Sequence, residues 1–120
     1  EWAQKIANEL DYIGTMCVEY FVDKNNELYV NEIAPRVHNS GHLTINAFNI
    51  SQFENHIRAV CELEKIILKK QSNAHMINIL GDEIIEYRNK KYNYNEFFFD
   101  YMKKEIKFKR KMGHLTVLRD

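Results

Sequence analysis

Two strand-like runs either side of a turn, closed by the chain's only proline, limit what the first third of this sequence can fold into. TMCVEYFV (15–22) and LYVNEIA (28–34) are rich in β-branched and aromatic residues, and the DKNNE between them has turn chemistry. Pro35 lacks the N–H that another ladder bond would need, so the second run must stop there. The pattern predicts an antiparallel hairpin. If Asp23 pairs with Leu28, Glu19 lies directly opposite Glu32, with Cβ atoms about 4.5–5.5 Å apart. Two carboxylates that close repel unless a proton or cation sits between them. Asn31 adds an amide beside Glu32, and hard oxygen donors at this spacing suit Mg²⁺ bridged to nucleotide phosphates. A one-residue slip would put the acids on opposite faces. Spacing alone also fits two solvent-facing acids on an exposed hairpin.

The remaining elements follow from periodicity and breakers. Trp2, Ala3, Ile6, Ala7 and Leu10 fall at helical spacing, with Gly14 as the expected stop. Residues 36–50 have no clean period and are rich in Asn, Ser, Gly and His, which is loop composition with polar groups to offer a ligand. Ser51 with Glu54 reads as a capping box that starts a helix, with Phe53, Ile57, Val60 and Cys61 as its buried stripe. Beyond residue 64 the runs 75–81, 83–87, 95–102 and 114–118 read as short strands. The sequence therefore predicts an α+β chain, divided into residues 1–63 and a small, mostly β module at 64–120.

The 17 basic and 17 acidic residues cancel, but they are not mixed evenly. Residues 1–34 hold seven acids and two bases, a net of −5, whereas Lys103–Lys111 holds six bases and one acid, a net of +5. One acidic and one basic segment suit a site with a divalent cation at one edge and a phosphate at the other. With 45% hydrophobic residues, four Gly and one Pro, the composition is globular. No apolar run approaches the roughly 18–20 residues of a membrane span. Cys17 and Cys61 are expected as reduced core thiols rather than a disulfide framework. The start has neither Met nor a signal-peptide pattern, and it begins inside a helical period; we expect a cytoplasmic location and a segment of something longer.

The run NEIAPRVHNSGHLTINAFNISQFENHIRAVCEL (31–63) closely resembles a motif of the N5-carboxyaminoimidazole ribonucleotide synthetases, which are ATP-grasp ligases. The family pattern NE-(I/L)-APR-x-HNSGH-x-T followed by SQFE-x-H-x-RA is present residue for residue. KRKMGHLTVL (109–118) and INILGD (77–82) are similar to two further family segments, in the same order. The resemblance covers nearly the whole chain. It implies that residues 1–63 are the second half of an ATP-grasp domain and 64–120 the small C-terminal domain. The adenine pocket and phosphate-binding lysines would then precede Glu1.

The reaction so implied joins bicarbonate to the amine of 5-aminoimidazole ribonucleotide, with ATP converted to ADP and phosphate through carboxyphosphate, in purine synthesis. On this resemblance Glu19 and Glu32 match the metal-binding acids, and Asn31 with Glu32 the nucleotide-contacting pair. Arg36, His38, Asn39 and Ser40 line the bicarbonate and carboxyphosphate side. Lys103 and Arg110, with the family's spacing of seven, hold the ribonucleotide 5′-phosphate, with Lys111 adjacent. ATP and Mg²⁺ are the implied cofactors, the partners are small molecules with neither nucleic acid nor membrane, and the full-length enzyme is expected to be a homodimer. The sequence departs from the pattern at Val37, where Pro is frequent, and at Lys109, where Gly is usual.

Three other readings fit parts of the sequence. His38 and His42 are four apart, but in a Gly-containing loop without an HExxH motif, so polar or substrate contact is preferred to transition-metal ligation. The basic and aromatic run YNYNEFFFDYMKKEIKFKRK could serve RNA, but consecutive Phe97, Phe98 and Phe99 require at least one to be buried, and the acidic half would repel a polyanion. Among enzymes, the alternative is another ATP-grasp ligase, such as a formate-dependent glycinamide ribonucleotide transformylase. The roles of His42 and His114 stay open at this level, and His56 is most simply structural.

Overall fold

Helix α1 (Trp2–Glu9) opens the computed structural model, which describes residues 2–119. It stops before the expected Gly14, because Asp11 takes a left-handed φ of 46°. Tyr12 N–H then donates to Ala7 O and Asp11 N–H to Asn8 O, which satisfies carbonyls the helix would otherwise leave open. Gly14 has its own constraint. Its φ is 126°, and a Cβ there would lie 2.7 Å from His56 Nδ1. Thr15 N–H donates to that same ring nitrogen at 3.1 Å, so His56 is structural, as expected.

The hairpin forms as predicted from β1 (Cys17–Val22) and β2 (Leu28–Ala34). Asp23 closes its turn by accepting from the N–H groups of Asn25 and Glu27, and Asn26 takes φ 64°. The register at the turn is one residue off the expected one, with Val22 rather than Asp23 opposite Leu28, and a bulge after Glu19 absorbs the difference. Glu19 consequently does face Glu32. The bulge offsets the one-residue slip in the turn.

A three-residue 3₁₀ turn (Asn39–Gly41) and helix α2 (Thr44–Ala47) punctuate the expected loop, and helix α3 (Gln52–Val60) follows. Ser51 Oγ caps α3 by accepting from Glu54 N–H at 3.1 Å. The carboxylate of Glu54 turns to Arg58 Nε at 2.8 Å, so only the serine half of the capping box is used. The expected buried stripe is not buried. Phe53, Ile57 and Val60 are exposed, Gln52 is the one buried residue of α3, and Cys61 is an exposed free thiol at its C-cap. Ile57 and Val60 are about half exposed, so a helical apolar period here marks a face partly open to solvent rather than a core.

The second sheet has the order β3–β5–β4 and is wholly antiparallel, with β3 at Asn73–Leu80, β4 at Glu96–Asp100 and β5 at Lys111–Arg119. Residues 83–87, expected as a strand, instead lie in helix α4 (Glu83–Asn89). Ile84 and Tyr87, three apart, both reach the core, and Arg88 on the next position bonds Asp100 at 2.7 Å. That spacing is helical. Glu83 and Glu86 in the first turn favour it electrostatically. Ile79, Ile84, Met112 and Leu115 form the closed core, with Tyr87, Tyr92, Phe98 and Val117 packed against it. Each such side chain contributes about 1.5–3 kcal/mol by leaving water. Met112 joins Leu115 on one face because a bulge opposite Ile79–Leu80 shifts the register. Of the three consecutive phenylalanines, Phe98 alone packs on this core. Among the described residues no helix is long and apolar enough to cross a membrane.

Candidate functional site

The opposite face of the second sheet is covered by the loop that follows β2. Its closure depends on one side chain. Gln52 is buried, its Oε1 accepts from His38 N–H at 2.9 Å, and its Nε2 donates to His38 O and to His42 Nδ1, each at 2.7 Å. Gly41 must be glycine for this clamp, since a Cβ there would sit 2.5 Å from Gln52 Oε1. Thr44 Oγ1 donates to Gly41 O at 2.6 Å and accepts from Gln52 N–H at 2.9 Å, which ties the loop to the start of α3.

The clamp aims the loop's side chains in two directions. Toward the hairpin, His38 Nε2 lies 3.5 Å from Glu19 Oε1, and His38 Nδ1 lies 2.8 Å from Ser40 Oγ. Ser40 Oγ is also 3.9 Å from Cys17 Sγ. Toward the second sheet, Asn39 Nδ2 donates to Asn78 Oδ1 at 2.8 Å, and Lys111 Nζ donates to Asn39 Oδ1 at 3.1 Å. Lys103 Nζ in turn donates to Lys111 O at 2.6 Å and lies 5.4 Å from the centre of the Tyr101 ring. Asn39, Lys103 and Lys111 are thereby brought together. Arg110 points to Glu105 O at 3.3 Å, and Arg36 folds back on Val37 O at 3.0 Å. Asn31 and Glu32 are exposed on β2.

Between the loop and the sheet lies a cleft of about 680 Å³, walled by His42, Phe53, Phe99, Tyr101 and His114 among others. His42 stacks on Phe53 with centroids 5.3 Å apart, and Phe99 stacks on His114 at 5.4 Å. The sequence pointed to a polar or substrate contact for His42 but to no role for Phe99 or Tyr101. The available signal was Phe99 and Tyr101 two apart at a strand end, hence on one face. Asp100, held below the usual carboxylate range chiefly by the Arg88 hydrogen bond, accepts from Met102 N–H and fixes the turn that presents Tyr101.

The His42, His114 and Tyr101 rings of this wall are uncharged at pH 7. Burial, then the charge of His42, pushes His114 down to about 4. Burial also lowers His42, with Lys111 and His38 adding to the effect. Burial raises Tyr101, so its hydroxyl keeps its proton and can donate to His114 Nδ1 at 3.0 Å. Because the folded form of His114 binds its proton more weakly than an unfolded histidine near 6.5, stability is complete above that value. It falls as pH drops toward 4. At pH 5 the expected loss is about 2 kcal/mol relative to pH 7.5, read from urea midpoints, and His114→Gln should flatten the profile.

Glu19 and Glu32 suit a magnesium ion in donor chemistry: both are carboxylates, they face each other across the ladder, and no Lys or Arg pairs with either among the described residues. His38 is the one basic group at Glu19.

Comparison with known proteins matches residues 1–53 to the family model described as the ATP-grasp domain and residues 74–120 to that described as the phosphoribosylaminoimidazole carboxylase C-terminal domain. The N5-carboxyaminoimidazole ribonucleotide synthase of Staphylococcus haemolyticus is 49% identical over 121 residues, covering 95% of this chain and 31% of the relative. The crystal structure of N5-carboxyaminoimidazole synthetase from Staphylococcus aureus complexed with ADP superposes with a TM-score of 0.89 and 43% identity, covering 98% of this chain and 33% of that one. N5-carboxyaminoimidazole synthase from Aspergillus clavatus, in complex with ADP and 5-aminoimidazole ribonucleotide, has a TM-score of 0.80 and 33% identity over 88% of this chain and 30% of that one. The chain spans about a third of the length of the curated relatives it matches.

Proposed function

The chain belongs to the N5-carboxyaminoimidazole ribonucleotide synthase family, and on that premise we propose that it supplies one side of an ATP-dependent carboxylase site acting on 5-aminoimidazole ribonucleotide and bicarbonate. The observation that carries this reading is the contact of Asn39 with Lys111, which joins the anion-side loop to the basic tail at the edge of an aromatic cleft. A flat imidazole suits walls of His42, Phe99, Tyr101 and His114, kept uncharged by burial. Lys103 and Lys111, with Arg110 from the same basic run, are suited to a sugar phosphate.

Arg36, His38, Asn39 and Ser40 take the bicarbonate side, where a planar guanidinium and loop donors can hold an oxyanion. Asn31 and Glu32 contact the nucleotide, and Glu19 with Glu32 would hold Mg²⁺, whose charge neutralises the phosphates when bound. His38 adds a basic group 3.5 Å from Glu19 and keeps that carboxylate oriented. The remaining two-thirds of the relatives' length would supply the rest of the nucleotide pocket.

The full-length enzyme should release ADP when given 5-aminoimidazole ribonucleotide and bicarbonate, and not when given glycinamide ribonucleotide with formate. The reverse preference would reassign it to the transformylase branch. In the same assay Lys111→Ala should raise KM for the ribonucleotide about tenfold, with KM for ATP within about twofold of wild type.

A further inference from the structure

Three side chains of differing chemistry converge beside the hairpin: Cys17, Glu19 and His38 offer a thiol, a carboxylate oxygen and an imidazole nitrogen, all within 4.8 Å of one another. We propose that this cluster is a binding site for a thiophilic divalent ion of the Zn²⁺ class, with water completing the coordination. Cys17 and Glu19 are two apart on β1 and therefore share a face. His38 comes to the same place from the loop after β2, and its backbone is fixed on both sides by Gln52.

The donor atoms are already close to what such an ion needs. A tetrahedral ion about 2.0–2.3 Å from N, O and S atoms has edges of about 3.3–3.6 Å. The His38 Nε2–Glu19 Oε1 edge is 3.5 Å, and the edges to sulfur, within 4.8 Å, need to close by up to about 1.3 Å. Ser40 engages the other ring nitrogen, its Oγ 2.8 Å from His38 Nδ1 and its N–H directed at the same atom at 3.4 Å, so that Nε2 is the nitrogen turned toward the cluster. Cys17 is a free, half-buried thiol. A thiolate is a poor ligand for Mg²⁺ and a strong one for zinc, so this donor set selects against the ion that Glu19 and Glu32 suit. Binding releases the thiol proton to solvent and leaves the charge on sulfur. The inference stands on these three side chains and does not rest on the substrate reading above.

Cobalt(II) is the probe, because thiolate ligation gives an intense near-ultraviolet charge-transfer band. The full chain should bind one Co²⁺ with that band, and Zn²⁺ should bleach it stoichiometrically. Cys17→Ser should abolish the band, and both Cys17→Ser and His38→Gln should weaken Zn²⁺ at least about tenfold against a chromogenic chelator. Cys61→Ser, which removes the exposed thiol outside the cluster, should change nothing. Circular dichroism checks each variant's fold. If Cys17→Ser is unfolded, His38→Gln decides, since it leaves β1 intact. Absence of the band in the folded wild type, its loss in Cys61→Ser instead, or unchanged Zn²⁺ affinity in His38→Gln overturns the proposal.

Discussion

Glu32→Gln in the complete ligase should lower kcat about 10²–10³-fold, or about 3–4 kcal/mol of barrier, with no loss of thermal stability. Gln keeps the size and shape of Glu, with an NH2 in place of one carboxylate oxygen, so packing on an exposed strand face barely changes. Glu32 faces Glu19 across the ladder, and removing one of two opposed charges relieves repulsion in the free protein. A residue serving only the fold would then leave turnover untouched. A residue whose charge holds Mg²⁺ against the nucleotide phosphates would not, because an amide oxygen carries no net charge to offset theirs. The measurement pairs kcat at saturating ATP and Mg²⁺ with a melting curve. Normal turnover with an unchanged melt removes Glu32 from the metal role; reduced turnover that excess Mg²⁺ partly restores supports it.

The reading of this hairpin shows what sequence carries and what it hides. Turn residues and the β-rich runs marked both strands, and Pro35 marked their end. The facing of Glu19 and Glu32 was legible only because two irregularities cancel, a one-residue register offset at the turn and a bulge after Glu19. Residues 83–87 went astray because EIIEY fits both periods over five positions, and the contact that decides the matter, Arg88 with Asp100, is twelve residues distant. The α3 stripe misled for a different reason. Amphipathic spacing reports which face is apolar, not whether anything covers it, and Phe53 instead stacks on His42 at the cleft. The chemical motif HNSGH was visible in the sequence, whereas the aromatic wall was not. Its members come from the loop, α3, β4 with the residue after it, and β5, and only the fold brings them together.

Gln52 is where fold and site meet, and Gln52→Ala should destabilise the chain by about 3 kcal/mol in urea unfolding. The side chain is 8% exposed and both ends of its amide are occupied. Truncation leaves His38 N–H, His38 O and His42 Nδ1 without their partner in a half-buried loop, and a buried polar group left unpaired costs about 1–3 kcal/mol. The orientation of the amide follows from its neighbours, since the His38 N–H can face only an acceptor and the His38 carbonyl only a donor. Gln52→Glu separates this account from simple volume loss. It preserves size and the acceptor for His38 N–H, but it cannot donate to His38 O, and it sets a carboxylate beside His42. The loop should open in both variants, with at least half of the alanine effect retained in Gln52→Glu. In the complete enzyme kcat/KM should fall with them, because His38, Asn39 and Ser40 all lie on the segment that Gln52 clamps. If Gln52→Glu is as stable as wild type, the hydrogen bonds contribute little and packing of Gly41 against the side chain holds the loop instead.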